Sequence, residues 1–150
     1  MGRRGPHEAF ENLSAITRCL RAAAAEAYAT FEVGTTQAKF LRHIGKNSRI
    51  SQADLARATV TAPTLTGRAL ETLVERGWVR RTRSDEDRRQ YVLELTPSGQ
   101  RARDRVERAR DRLIERLARV LDDRDVEDLD RITKKILGAF EHPAGGDTKD

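Results

Sequence analysis

Gly77-Trp78-Val79-Arg80-Arg81, then Asp85-Glu86-Asp87-Arg88-Arg89, then Val92-Leu93-Glu94-Leu95-Thr96: these residues decide the fold. Tyr91, Leu93 and Leu95 alternate with Val92 and Glu94, the period of two that marks a strand. Residues 78–82 read as the partner strand, and the charged segment between them reads as a turn. Just upstream the period is 3.6. Leu65 or Thr66, Ala69, Leu70, Leu73 and Val74 form a stripe that should be buried, and Gly77 should end that helix. Pro63 suits its first turn, where a missing N–H leaves nothing unpaired. Thr61 or Ala62 should start it.

A further short helix precedes these elements. Ser51-Gln52-Ala53-Asp54 resembles a capping box with Asp54 at the third position, and Ala53, Leu55 and Ala56 are available to its core side. Thr59-Val60-Thr61 forms the turn between the two helices. Two short helices followed by a basic hairpin predict a winged helix-turn-helix: one element fits a DNA major groove, and another reaches the adjacent minor groove.

Outward from this centre the pattern is helical. Phe10, Leu13, Ile16 or Thr17, Leu20 and Ala24 recur at spacings of three and four. Thr35 or Thr36 can cap a second helix carrying Ala38, Phe40, Leu41 and Ile44. Thr96-Pro97-Ser98-Gly99 signals a long helix with Ala102, Val106, Ala109, Leu113 and Leu117. Asp122 or Asp123 caps a last helix with Val126, Leu129, Ile132, Ile136, Leu137 and Phe140. The class is mostly α with a small β-hairpin wing. The expected division is a dimerisation helix over 7–34, the DNA-binding domain over 35–96, dimerisation helices over 97–141 and a disordered tail over 142–150.

Composition narrows the function. Charged residues (35%) nearly equal hydrophobic ones (37%), so part of the core is expected to form between subunits. Aromatic residues, at 5%, are too few for a platform that stacks single-stranded nucleic acid. The net charge of +5 is unevenly spread. Lys39, Arg42, Lys46, Arg49 and Arg57 face only Asp54 between 39 and 57, whereas Asp122, Asp123, Asp125, Glu127, Asp128 and Asp130 make the last helix acidic. One basic end suits a molecule that presents one face to phosphates. No apolar run approaches a membrane span, and the basic first residues lead into no signal segment. The single cysteine fits a cytoplasmic protein, associated with the nucleoid when bound to DNA. No metal-ligand spacing, nucleophile elbow or phosphate-cradling loop occurs, so neither a cofactor nor catalysis is expected.

On the predicted recognition helix, Thr61, Pro63, Thr64, Gly67 and Arg68 lie outside the buried stripe and are the candidates for base and phosphate contacts. Glu71 and Glu75 would be repelled by phosphate, so the far half should tilt away. Asp87, Arg88 and Arg89 are the candidates on the wing, with Asp87 expected to hold the Arg89 guanidinium in a bidentate pair. Ser51, Gln52, Arg80 and Arg83 are candidate backbone contacts. Phe10, Leu13, Ile16, Leu117, Ile132, Ile136 and Phe140 are candidates for a dimer interface, because one small monomer covers so many apolar residues poorly. A dimer predicts two half-sites about one helical turn apart, roughly 10 base pairs. A winged helix that binds DNA nonspecifically, or that binds a protein instead, is the alternative.

The order Leu73…Arg76-Gly77-Trp78-Val79…Arg81…Asp87-Arg88-Arg89…Leu95-Thr96…Gly99 resembles the signature of the multiple antibiotic resistance regulator (MarR) family. The resemblance implies a homodimer on a palindromic operator, with the first, fifth and sixth helices interlocking. It also implies a minor-groove role for Arg89, steadied by Asp87, and a small aromatic or phenolic acid as effector. Arg18 or Arg21, Tyr28, Phe40 and His43 are then candidate pocket residues. Gly67, in mid-helix, departs from good helix propensity by about 1 kcal/mol relative to alanine. Residues 28–36 form a short connection. Cys19 is expected to be a buried structural thiol, although a redox-sensing role is conceivable under the same resemblance.

Overall fold

The computed structural model of the chain describes residues 5–141, and the tail expected over 142–150 lies outside them. The described residues run α1 (Pro6–Ala29), α2 (Thr35–Lys46), β1 (Ile50–Ser51), α3 (Gln52–Ala58), α4 (Pro63–Glu75), β2 (Val79–Arg83), β3 (Tyr91–Leu95), α5 (Pro97–Ala118) and α6 (Asp123–Glu141). The sheet is antiparallel, in the order β1-β3-β2. The class is therefore mostly helical with a small β wing. β1 is absent from the expectation because two residues are too short to show a period. The chain divides within α5, one compact unit ending at Asp111 and the next starting at Arg112.

In the first unit, Phe40 and Leu41 of α2, Leu55 of α3, Leu70 and Leu73 of α4, Leu93 of β3 and Val106 of α5 have no exposed surface. α2, α3, α4 and the first half of α5 thus bury apolar residues predicted for them, whereas in α1 Phe10 and Ile16 of the predicted stripe are exposed and the buried residue is Tyr28. Ala53 is exposed, since Leu55 alone anchors the seven-residue α3. α2 takes Gly34 as its N-cap, because the Gln37 side chain reaches back to accept from the Gly34 amide at 3.2 Å; Thr35 is the first helical residue. In α4 it is Thr66 that is fully buried, while Leu65 is 51% exposed and Val74 39%. The Thr66 hydroxyl donates to the Ala62 carbonyl at 3.0 Å, so its burial leaves no polar group unpaired. Cys19 is exposed rather than buried, as it lies away from the packed face of α1.

The end of α4 follows from Gly77. With φ at 72°, Gly77 donates from its amide to Val74 O at 2.9 Å, and Trp78 donates to Leu73 O at 3.0 Å. This is the paired arrangement that satisfies the last helical carbonyls, in a conformation glycine adopts without strain. At the end of β3 the Thr96 amide donates to Trp78 O at 3.0 Å. The Thr96 hydroxyl donates to Gly77 O at 2.5 Å and accepts from the Gly99 amide at 3.0 Å, starting α5. Gly99 lies so close beneath this join that a Cβ there would stand 1.9 Å from Trp78 O.

In the second unit, Asp122 and Asp125 cap α6 reciprocally, each carboxylate accepting from the other's amide at 2.8 and 3.0 Å. α6 has no buried residue. Val126, Leu129, Ile132, Leu137 and Phe140 are exposed along it.

Gly99→Ala should therefore destabilise the first unit by about 3 kcal/mol or more, because backbone rather than a yielding side chain opposes the new methyl. Urea unfolding measures this, and an unchanged midpoint would contradict the packing described.

Candidate nucleic-acid interface

α3 and α4 are joined by a turn whose Val60 has φ 49° and is almost wholly exposed. Lys39 of α2 reinforces the turn, its ammonium donating to Thr59 O at 3.3 Å and to Thr61 Oγ1 at 3.1 Å. The Thr61 hydroxyl also lies 2.9 Å from Thr59 Oγ1. Thr61 is thus half-buried, and its hydroxyl is engaged in the turn. Lys39 has no counterpart among the sequence candidates, since a contact across 22 positions leaves no local signal.

The outward side of α4 carries Pro63, Thr64, Leu65 and Arg68, all exposed. Gly67 is half-buried on a different flank, where Gln52 Nε2 of α3 lies 3.8 Å from the position a Cβ would take. Ser51 caps α3 by accepting from the Asp54 amide at 3.0 Å. The Ser51 hydroxyl beside the Asp54 carboxylate, and then the Arg57 side chain paired to that carboxylate, hold the Asp54 pKa below its usual value.

The wing is built on Tyr91. Arg81 and Arg83 of β2 lie over its ring at 4.5 and 4.3 Å. Both share a sheet face with it through the pairs Arg83↔Tyr91 and Arg81↔Leu93. Arg81 also reaches Gln52 Oε1 at 3.5 Å, linking wing to α3. Arg83 donates to Arg88 O at 2.9 Å, so this candidate backbone contact is also a brace of the wing. Arg80 extends from the opposite face with Glu94 at 3.8 Å.

At the tip, the Ser84 hydroxyl accepts from the amides of Glu86 and Asp87, both at 3.3 Å. The Asp87 carboxylate accepts from the Arg89 backbone amide at 3.0 Å. This corrects the expected bidentate pair: Asp87 fixes the course of the turn, and the Arg89 guanidinium has no ion-pair partner among the described residues. Backbone capture of this kind is the shorter reach for an Asp two positions upstream. Arg88 and Arg89 are both exposed. Three arginines and three acids occupy residues 83–89, so the tip has little net charge. What it presents is two exposed arginines on a braced turn, not a general cationic field.

The candidate effector residues differ in burial and none of them lines the groove described below. Phe40 and Tyr28 belong to the core, at 0% and 4% exposure, whereas Arg18 is exposed and His43 half-buried. A groove of about 470 Å³ lies instead beside Gly45, Arg49, Glu94 and Arg103. Phe10, Ile16, Leu117, Ile132 and Phe140 are exposed in the single chain, and Leu13 and Ile136 half-buried. Among the described residues no cluster of His, Cys, Asp or Glu could hold a metal, and no helix is long and apolar enough to cross a membrane.

His43 has a pKa below its ordinary 6.5, chiefly because burial penalises its charge and then because Arg42, Lys46 and Lys39 are nearby. The folded chain therefore binds this proton less readily than the unfolded one, and stability falls as pH drops below about 6.5. His43→Gln should lessen that loss in thermal melts between pH 7 and 5. An identical pH slope would contradict it.

The matched family model, described as the MarR family, covers residues 32–90. No curated protein sequence matches the chain. Among solved structures, a MarR transcriptional regulator from Methanosarcina mazei Go1 superposes with a TM-score of 0.80 at 23% identity, over 88% of this chain and 95% of that one. The S. aureus MepR–DNA complex gives 0.77 at 18% identity, over 86% and 96%. A cysteine-to-serine mutant of E. coli MarR complexed with operator DNA gives 0.76 at 22% identity, over 85% and 91%. These likenesses share the fold, and they extend it across the helices on either side of the matched segment. Residues 32–90 match the model of the MarR family, and the solved structures show that nearly the whole described chain has the same fold.

Proposed function

We propose that this chain is a transcription regulator that binds double-stranded DNA in a sequence-dependent way, as a homodimer on a palindromic operator. One observation carries the reading. The first half of α4 and the Arg88-Arg89 tip are both exposed and are held to one small sheet, α4 through Gly77 and the tip through β2 and β3. A helix of this width fits the roughly 12 Å major groove, and a lone arginine on a turn fits the narrow minor groove beside it. The family match over this segment, and the DNA bound to two proteins of the same fold, support it.

In this reading Thr64 and Arg68, flanked by Pro63 and Gly67, face base edges and phosphates, with Thr61 holding the turn. Arg89 enters the minor groove beside Arg88 while Asp87 shapes the loop. Ser51, Gln52, Arg80 and Arg83 lie toward the backbone. The 7–34 and 97–141 segments serve dimerisation, and the regulator works in the cytoplasm, on the nucleoid when bound. Repression relieved by a small aromatic or phenolic acid is the finer proposal, supported by family likeness alone.

Selecting bound duplexes from a random pool tests this, and repeating the selection with phenolic acids present tests the effector. The expected product is a palindrome with half-sites about 10 base pairs apart or a multiple. Binding with no preferred sequence, lost at high salt, would overturn it. Arg89→Ala should lose about 1–3 kcal/mol of affinity for that duplex with the fold intact. Undiminished affinity would remove the wing assignment.

The dimer has its own test. The exposed apolar side of α6 should lie against a second copy, where its burial removes from water the surface that Ile132, Leu137 and Phe140 present. Ile132→Glu with Leu137→Glu should shift the sedimenting species from dimer to monomer, since a buried unpaired carboxylate costs several kcal/mol. A monomeric wild type would contradict the proposal.

A further inference from the structure

α4 buries a threonine and exposes a leucine directly beside it. Thr66 has no exposed surface, whereas Leu65 is 51% exposed. Packing preference alone favours the reverse, since leucine gains more than threonine on leaving water. Leu65 also has specific neighbours. Residues 61, 64, 65 and 68 are spaced i, i+3, i+4 and i+7, which places them along one side of a helix and its entry. Of these, Thr61 is committed to Lys39 and Thr59. Thr64, Leu65 and Arg68 are exposed. The stripe therefore offers a hydroxyl, an apolar branch and a guanidinium, and all three lie in the first half of the helix, away from the repelling Glu71 and Glu75.

We infer that Leu65 is a specificity-determining residue, whose branched side chain packs on the C5-methyl group of a thymine in the operator's major groove. The inference rests on the DNA-binding reading above and deepens it. In the major groove the thymine methyl is the apolar mark that distinguishes a T·A pair, and apolar side chains are its complement. Leu65 meets that methyl between two polar neighbours, which hold the helix to phosphates and base edges on either side. A second protein docking on this stripe would have to cover Arg68 and Thr64 as well; a duplex pairs with both. Each half-site is expected to carry one T·A pair whose methyl matters more than its hydrogen bonds.

The test replaces each thymine of the selected duplex by uracil, one position per half-site at a time. This removes only the methyl group and leaves base pairing and phosphate charge unchanged. Wild-type protein should lose about fourfold in affinity per half-site at one symmetric position, the worth of one buried methyl. Leu65→Ala should bind the thymine and uracil duplexes equally, with a melting temperature close to wild type because the residue is half-exposed. Wild-type indifference to uracil at every position overturns the assignment and leaves DNA binding standing. So does uracil sensitivity that persists in Leu65→Ala. The wild-type scan reads out even if the variant folds poorly. Failure to bind any duplex would instead overturn the regulator reading itself.

Discussion

The structure depends on one join, where the end of β3 meets the start of β2. The Thr96 amide reaches Trp78 O, its hydroxyl spans from Gly77 O to the Gly99 amide, and Gly99 lies against the Trp78 carbonyl with no room for a Cβ. Four residues thereby fix the last turn of α4, the base of the hairpin and the first turn of α5. Nothing larger is needed, because each bond satisfies a backbone group that a helix or strand end would otherwise leave unpaired.

The consequences run outward. With the hairpin base clamped, the wing keeps its shape far from the core through the Arg81 and Arg83 stack on Tyr91 and the Ser84 and Asp87 turn bonds. With Gly77 ending α4, that helix is held by its buried side and leaves the other open. Arg76 ties the same corner to the α1–α2 connection: its guanidinium lies 3.7 Å over the Trp78 ring and donates to Glu32 O at 2.6 Å. The motif Arg-Gly-Trp…Leu-Thr…Gly is thus a set of mutually dependent contacts, and its spacing is the spacing of that corner.

Much of this was legible in the sequence, because the signals were local. Gly77 as a helix terminator, Pro63 at a first helical turn, Ser51 as a cap and the alternation through Leu93 each depend on chemistry within a few residues. What escaped depends on distant partners. The choice between Leu65 and Thr66 turns on a hydroxyl finding the Ala62 carbonyl, and neighbours 100° apart on a helix are equally good stripe members by pattern. Charge alone pairs Asp87 with the Arg89 side chain, but the backbone amide is within shorter reach. β1 exists only because β3 offers it an edge, and Lys39 and Arg81 act across long separations in the chain. The exposure of Cys19 likewise depends on what surrounds it, which periodicity does not encode.

The central claim is that α4 and the wing address adjacent grooves of one duplex from a single fixed corner. Hydroxyl-radical footprinting on a selected duplex measures this most directly. The account predicts, in each half-site, protection across the major groove edge flanked by a protected minor groove, with the minor-groove protection alone lost in Arg89→Ala. Protection confined to one groove, or a wing footprint unaffected by that substitution, would contradict it.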